Sequence, residues 1–237
     1  MNDTATWKPD EVILLVPILQ RPHLIEPLRQ NWKRTTPEET MLVFLPDDDD
    51  GESLDELRRV GASAVPSEAR GWAGKINAEV RSGPNDLSRW WQEVRYVFCM
   101  ADDVVLHPGW LDEVMSVMTT YPNTRVVGTL DLLTGNVMAG EHAVHFMTDR
   151  RYIDEVGGVV DEGPGSFLCE KYRHNYVDTE FIGTAKSRGV FQPSRAVVEH
   201  LHHIGDKAQY DDVYRIGDAS KAKDAAIYDR RRALWGG

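Results

Sequence analysis

The sequence has no long apolar run, since none of its hydrophobic stretches approaches the roughly 20 residues that a helix needs to span a bilayer. Its opening segment, MNDTATWKPD, also lacks the basic and apolar regions of a secretory signal. These two absences argue against a membrane-spanning chain and against a secreted one. We therefore expect a protein that stays in the cytoplasm.

The sequence is also poor in cysteine and in basic residues. Its two cysteines, Cys99 and Cys169, are far apart, and Cys99 lies inside an apolar run, so we expect no disulfide framework. The formal net charge is −11, which argues against general binding to a phosphate backbone, because such binding rests on a basic face. An acidic surplus suits carboxylates that hold a divalent cation, and it also serves solubility.

Length and composition indicate one folded domain. A chain of 237 residues can bury one substantial core, and shares of 41% hydrophobic and 27% charged residues are ordinary for a globular protein. We find neither an internal repeat nor a linker in the sequence. We therefore expect a single domain over residues 1–237. Its expected parts are a first half at about 12–105, a second half at about 106–205 and a helical tail at 206–237.

Short, nearly continuous apolar runs mark the predicted strands. Residues 12–19 (VILLVPIL) are aliphatic and β-branched almost throughout, which is typical of a strand buried on both faces of a parallel sheet. Similar runs recur along the chain. Strands are predicted at residues 12–19, 41–45, 62–65, 96–100, 125–133, 143–148 and 196–203.

Helical signals fall between these runs. Leu24, Leu28 and Trp32 recur every four residues as one stripe of an amphipathic helix. Ser53 and Glu56 form an S-x-x-E capping box, which predicts a helix start. Further helices are predicted after Pro108, over residues 176–188 and over residues 221–235. This alternation predicts an α/β fold with a doubly wound, mostly parallel sheet flanked by helices, and a ligand site at the carboxyl ends of its strands.

Two adjacent carboxylates, Asp102 and Asp103, follow the predicted strand at 96–100. They repel each other unless water, a basic group or a cation offsets their charge, and a divalent metal that bridges to a diphosphate would do so. The alternative is an ordinary acidic turn that caps the next helix.

Three histidines crowd the end of the predicted strand at 196–203, in the string VEHLHH. If this string is a strand, its period of two places His200 and His202 on one face, where imidazoles suit a metal ion or a phosphate. The alternative is a structural role, which is the usual one for an isolated histidine.

Residues 96–114 (YVFCMADDVVLHPGWLDEV) resemble the part of GT-A glycosyltransferases, of the family 2 type, in which a strand ends in a D-x-D motif and a "pgwl" helix follows. The resemblance implies a Rossmann-like GT-A fold. It also implies that Asp102, with Asp103 beside it, holds Mn²⁺ or Mg²⁺ against the donor diphosphate. Many members supply a late histidine to the same metal, and the matching candidates here are His200 and His202. Met100 stands where many members have the first acid of the motif.

Three further segments resemble the donor side of the same family. VPILQRP matches its first strand and loop, DDDDGES matches its "DDgS"-like turn, and RGWAGKIN matches its glycine-bearing stretch before a helix. The sequence leaves open which of the four aspartates contacts the nucleotide, and a solvated acidic face is the alternative for most of the run. The donor-binding residues that the resemblance implies are Pro17, Arg21, Asp48, Asp49, Arg70, Lys75, Asn77 and Asp102.

Residues 156–162 (VGGVVDE) and 176–181 (YVDTEF) resemble the acceptor side of the inverting members of the family. This match implies that Asp178 is the catalytic base, which takes the proton from the acceptor hydroxyl. Glu180 is the second candidate. The alternative is an acidic helix start that the helix dipole stabilises without any catalysis.

The resemblance covers residues 12–203 and keeps the family's order of motifs. It implies a metal-dependent, inverting glycosyltransferase that moves a sugar from a nucleoside-diphosphate sugar, with a UDP-sugar as the first expectation, to an acceptor hydroxyl. It assigns residues 12–105 to the donor and 106–205 to the acceptor. The short chain and the VEHLHH string resemble small glycosyltransferases of bacteriophages, which implies work in the host cytoplasm.

Two other functions stay open at this point. One is a nucleotidyltransferase, and the other is a non-catalytic module that binds a sugar nucleotide or a carbohydrate. The acceptor, whether a glycan, a protein or a modified DNA base, also stays open, and so does the oligomeric state.

Overall fold

The structure, a computed structural model, describes residues 7–82 and 93–236 of the chain. The strands are β1 (Val12–Ile18), β2 (Met41–Pro46), β3 (Tyr96–Cys99), β4 (Val104–Leu106), β5 (Val126–Leu130), β6 (Phe146–Asp149) and β7 (Phe191–His200). The α-helices are α1 (Pro22–Thr35), α2 (Gly51–Val60), α3 (Gly71–Ser82), α4 (Trp110–Thr120), α5 (Gly135–Met138), α6 (Arg150–Glu155), α7 (Val177–Ser187) and α8 (Asp212–Arg231).

The seven strands form one sheet in the order β2-β1-β3-β6-β5-β7-β4. β1 pairs parallel with β2 and β3, and β5 pairs parallel with β7. β6 lies antiparallel between β3 and β5, and β4 pairs antiparallel with β7. All strands except β6 and β4 therefore point the same way, and the mostly parallel α/β sheet predicted from the sequence is confirmed.

β1 is buried along its whole length, and its side chains alternate between two cores. Ile13 and Leu15 pack in the core that residues of α3, α6 and α7 share, whereas Leu14 and Val16 pack in the core beneath α1, α2 and α4. The alternation follows from the strand's period of two. Helices thus cover both faces of the sheet, as a doubly wound fold requires.

Two predicted elements of the first half differ from the structure. Residues 62–65 form no strand, because Ala64 makes only an isolated bridge to Phe44. Helix α2 begins at Gly51, and its cap is Asp50, whose carboxylate accepts a hydrogen bond from the Ser53 backbone N–H at 3.2 Å. The predicted capping box is therefore wrong, since Ser53 already lies inside the helix.

The second half also shows shifted boundaries. β7 ends at His200, so the predicted strand at 196–203 begins too late and ends too late. Helix α8 begins at Asp212, nine positions before the predicted start at 221, because the Asp211 carboxylate caps its first turn. No helix within residues 7–82 and 93–236 is long and apolar enough to cross a bilayer.

Candidate active site at the carboxyl ends of the strands

A cavity of about 830 Å³ opens where β1, β2, β3 and β7 end and where α3, α7 and α8 begin. This is the edge of the sheet at which open α/β folds bind ligands, and the volume lies within the usual range for a ligand pocket. The structure brings nine of the predicted site residues to this cavity: Pro17, Arg21, Arg70, Lys75, Asp102, Asp103, Asp178, His200 and His202. It does not bring Asp48, Asp49, Asn77 or Glu180 to the cavity wall.

The carboxylates of Asp102 and Asp103 are buried at the floor of the cavity, between β3 and β4. Nη1 of Arg21 lies 3.0 Å from Oδ1 of Asp102 and 3.3 Å from Oδ2 of Asp103. Asp103 also accepts a hydrogen bond of 2.6 Å from the Tyr214 hydroxyl, and its Oδ1 lies 3.1 Å from Nε2 of His200. Asp103 thus has three partners, whereas Asp102 depends on Arg21.

The two carboxylates differ in pKa because their partners differ. Burial and repulsion from Asp103 raise the pKa of Asp102 to about 7, against the opposing pull of Arg21. Burial also favours a raised pKa for Asp103, but the hydrogen bonds and charges of His200, Tyr214 and Arg21 outweigh it and lower that pKa below its usual range. Asp102 is therefore the carboxylate of the pair whose negative charge the neighbours offset less.

Arg21 joins this floor to the start of α8. Its Nε and Nη2 contact the Asp211 carboxylate at 2.7 Å and 2.9 Å, and its guanidinium lies 4.3 Å from the centre of the Tyr214 ring. Neither Asp211 nor Tyr214 is predicted as a site residue from the sequence. The only local signal was an aspartate at a helix cap, which says nothing of a partner 190 positions away.

The histidines of the VEHLHH string lie beside Asp103. His202 lies beyond the end of β7, yet its ring centre is 5.1 Å from that of His200, so the two side chains are neighbours without sharing a strand face. His145, which the sequence analysis missed, also packs 5.1 Å from His200. Neither ring nitrogen of His145 has a hydrogen-bond partner among the described residues, and burial, with repulsion from His200, lowers its pKa to about 3.

The residue types at the cavity floor suit a divalent cation. Carboxylate oxygens and imidazole nitrogens are ligands that Mn²⁺ accepts, and Asp102, Asp103, His200 and His202 supply both kinds at this cavity. As the side chains stand, no group of three or more His, Cys, Asp or Glu residues in the described part of the chain is arranged around one ion. The reason is visible at Asp102, where Nη1 of Arg21 lies 3.0 Å from the carboxylate. A cation would have to displace this contact, and the predicted metal ligands stay a prediction.

Asp178 lies in the first turn of α7 and lines the cavity. Its Oδ2 is 3.1 Å from Nε2 of His142, and its Oδ1 accepts a hydrogen bond of 2.8 Å from the Thr179 backbone N–H. Burial favours a raised pKa for Asp178, but His142 and Thr179 outweigh it and lower the pKa below its usual range. At neutral pH the group is therefore a carboxylate that can accept a proton.

Glu180 lies on the same helix but points away from the cavity, with 1% of its surface exposed. Arg231 of α8 binds its two oxygens at 2.8 Å and 2.6 Å, and the Tyr172 hydroxyl donates a third bond at 2.8 Å. These contacts are those of a buried ion pair that joins α7 to α8. The prediction of Glu180 as the second candidate for the catalytic base gains no support from this placement.

The acid that reaches the cavity from the four-aspartate run is Asp47 rather than Asp48 or Asp49, which are both exposed. Nζ of Lys75 lies 2.5 Å from Oδ1 of Asp47, and burial lowers the pKa of Lys75 despite this partner. Arg70 binds the exposed Asp48 at 2.8 Å. Since all four residues are aspartates, only the path of the chain after β2 could distinguish them.

Asn77 lies behind the cavity wall on α3. Its side-chain amide donates to the carbonyl of Leu168 at 2.7 Å, and its side-chain oxygen accepts from the Leu168 backbone N–H at 2.9 Å. A further bond of 2.8 Å reaches Glu170. Asn77 therefore fastens the segment before α7 to α3, and a direct contact with a nucleotide is not supported.

Comparison with known proteins identifies the fold. No protein-family profile matches the chain, and the comparison with curated proteins finds no match. Glucosyl-3-phosphoglycerate synthase from Mycobacterium tuberculosis, in complex with Mn²⁺, UDP and glucosyl-3-phosphoglycerate, is similar with a TM-score of 0.61 and 10% identity, over 92% of this chain and 79% of that chain. The mannosyltransferase PcManGT from Pyrobaculum calidifontis, in complex with GDP-Man and Mn²⁺, is similar with a TM-score of 0.59 and 15% identity, over 83% of this chain and 58% of that chain.

At such low identity the likeness shows the fold alone, because one fold carries many functions. The mostly parallel sheet and the helices that flank it match these glycosyltransferases as an architecture. The chain therefore has a Rossmann-like GT-A fold, as the sequence predicted.

Proposed function

We propose that this protein is a glycosyltransferase that uses a nucleoside-diphosphate sugar as donor and a divalent cation as cofactor. The observation that carries the proposal is that one cavity holds a buried pair of adjacent carboxylates, Asp102 and Asp103, together with the ionised carboxylate of Asp178. Two carboxylate sites, one suited to a cation and one to a proton, are what metal-assisted transfer to a hydroxyl requires. The similar solved structures hold Mn²⁺ with UDP or with GDP-Man, which supports this choice.

The residues that would hold the cation are Asp102 and Asp103, with His200 and His202 as further ligands. A bound divalent cation would neutralise charge on the departing nucleoside diphosphate. Lys75 and Arg70 lie on the same cavity and add positive charge on its donor side. As part of the same proposal, we keep residues 12–105 as the donor half and residues 106–205 as the acceptor half.

Asp178 acts as the general base in the proposed reaction. As the acceptor oxygen forms its bond to the anomeric carbon, the bond from that carbon to the diphosphate oxygen breaks, and the hydroxyl proton passes to Asp178. His142 holds Oδ2 of Asp178 by its contact at 3.1 Å and keeps the carboxylate ionised. A single displacement of this kind inverts the configuration of the sugar.

The finer assignments belong to the same proposal. We keep a UDP-sugar as the first donor to test, with GDP-sugars beside it because one similar structure holds GDP-Man. Membership of the family 2 type, an origin in a bacteriophage and work in the host cytoplasm stay predictions from the sequence.

The proposal is tested by isothermal titration of UDP, GDP, CDP and TDP into the protein, with and without Mn²⁺. We expect one nucleotide to bind only with Mn²⁺, and Asp102→Ala to abolish this binding. The matched control is Asp112→Ala, which removes an exposed carboxylate of α4 outside the cavity. Absence of nucleotide binding under every condition would refute the proposal, and binding without turnover of any nucleotide sugar would favour a binding module.

A further inference from the structure

Six basic side chains line the cavity, apart from its histidines, and four of them have acidic partners within ion-pair distance. The four pairs are Arg21 with Asp211 at 2.7 Å, Arg70 with Asp48 at 2.8 Å, Lys75 with Asp47 at 2.5 Å, and Lys171 with Asp161 at 3.1 Å. The other two, Arg173 and Lys223, are exposed, and neither forms an ion pair with any residue that the structure describes. In a protein of net charge −11, these two side chains therefore present positive charge to the cavity that no acidic side chain of the described residues pairs.

A buried carboxylate, Asp224, joins the segment that carries Arg173 to the helix that carries Lys223. Asp224 of α8 has none of its surface exposed, and it accepts hydrogen bonds of 2.9 Å from the backbone N–H groups of Arg173, His174 and Asn175. Lys223 directly precedes Asp224 in the chain. The backbone at Arg173 is thus bonded to the residue next to Lys223, and both positions border the same cavity.

Two glycines, which lack a Cβ, allow helices α3 and α8 to pack closely against this loop. Gly71 at the start of α3 has a φ of +76°, and a Cβ built there would lie 2.9 Å from the carbonyl oxygen of Arg173. A Cβ on Gly217 of α8 would lie 2.8 Å from Cδ2 of His174. The loop is therefore packed closely between α3 and α8, so the backbone that carries Arg173 is placed in advance of binding, which lowers the cost of ordering it around a ligand.

The position of Arg173 in the chain places it near the proposed catalytic base, on the side of the cavity assigned to the acceptor. Arg173 lies five positions before Asp178, on a segment that lines the cavity continuously from 170 to 178. The cations assigned to the donor, Arg70 and Lys75, come instead from the start of α3. Arg173 thus belongs to the same wall as the proposed base, and Lys223 reaches the cavity from α8.

We propose that Arg173 and Lys223 bind an anionic group, a phosphate or a carboxylate, on the acceptor whose hydroxyl Asp178 deprotonates. The inference rests on the proposed function, and it adds the chemical class of the acceptor. A guanidinium offers two parallel N–H donors to such a group, and an ammonium adds a compact charge beside it.

The test is calorimetric titration of inorganic phosphate and, separately, of acetate into the protein. Each titration is made with the free protein and with protein saturated by Mn²⁺ and the nucleoside diphosphate that binds it. The test variant is Arg173→Gln/Lys223→Gln. The matched control is Arg58→Gln/Lys221→Gln, which removes the same two charges from exposed positions on α2 and α8 outside the cavity.

We expect the wild type and the control to bind one of the two anions in the presence of the nucleotide, and the test variant to bind it about tenfold more weakly or worse, because charge-assisted bonds are lost. Phosphate binding would indicate a phosphorylated acceptor, and acetate binding a carboxylate. Equal affinity in the two variants, exclusion of the anion by the nucleotide, or no anion binding would each overturn the inference. If no nucleotide binds, the proposed function fails, and the titration of the free protein still reports separately on the two cations.

Discussion

The buried ion pair between α7 and α8 permits a quantitative test of the role of Glu180. Arg231 donates two hydrogen bonds to Glu180, at 2.8 Å and 2.6 Å, and two to Asp161, at 2.9 Å and 2.6 Å. Arg231→Met keeps most of the apolar stem but removes all four bonds. Glu180, which is 1% exposed, would then keep the Tyr172 hydroxyl as its one hydrogen-bond partner among the residues that the structure describes.

The expected cost follows from the burial of the two acids. Asp161 has 37% of its side chain exposed, so its pair with Arg231 contributes under about 1 kcal/mol. Removal of one partner from a buried pair leaves an uncompensated charge and costs about 3–5 kcal/mol, so the loss at Glu180 dominates. For a chain of this size, that corresponds to a fall of about 6–20 °C in melting temperature.

Urea unfolding at neutral pH measures the effect, with Arg230→Met as the matched control because Arg230 is an exposed neighbour on the same helix. We expect the control to change the unfolding free energy by no more than about 0.5 kcal/mol. Arg231→Met/Glu180→Leu removes both charges and should recover most of the loss. A loss in Arg231→Met as small as that in Arg230→Met would refute the structural role assigned to Glu180.

Three further predictions concern the cavity. Arg21→Met should raise the affinity of the protein for Mn²⁺ by about tenfold, since it frees Asp102 from a competing cation, and lower affinity in a Mn²⁺ titration would contradict this. Asp224→Asn should lower the unfolding free energy by about 1–3 kcal/mol at pH 7. The pKa of Asp224 is lowered in the folded state, so the wild type should lose this contribution progressively as the pH falls below about 4. Chemical unfolding at pH 7 and at pH 3 should therefore show a smaller difference in unfolding free energy between the two proteins at pH 3. His142→Gln should raise the pKa of Asp178, because the histidine no longer opposes the effect of burial on that carboxyl. The acid limb of the pH profile of kcat/KM should then move to higher pH. An unmoved limb would exclude Asp178 as the base.

Parts of the fold could be predicted because some strands are recognisable from their local sequence alone. β1 lies between two cores, so it is recognisable as a continuous apolar run, and the carboxylates that follow β3 mark the ligand edge of the sheet. The pair of Asp102 and Asp103 was therefore placed correctly in the cavity. The short bridge at Ala64 could not be separated from a strand, because a few apolar residues have no definite period.

Long-range contacts explain most of what the sequence left open. Arg21 contacts Asp211 across 190 positions of the chain, and Asp224 bonds a loop about 50 positions before it, so no local pattern indicates either contact. Glu180 is a different case. On a helix, a spacing of two residues turns the side chain by about 200°, so Asp178 and Glu180 had to face opposite sides, and only one of them could line the cavity.

The most direct test is donor turnover, measured as release of nucleoside diphosphate from a panel of nucleotide sugars by the wild type, Asp102→Asn and Asp112→Asn. A metal-dependent transferase should release diphosphate from one donor only when Mn²⁺ is present. Asp102→Asn should lower this activity by more than the roughly 10–100-fold that loss of a hydrogen-bond partner of a metal ligand costs, because it changes the ligand itself. Asp112→Asn should turn over the same donor at the wild-type rate. Release that needs no cation, or that Asp102→Asn leaves intact, would contradict the assignment of this cavity to metal-assisted sugar transfer.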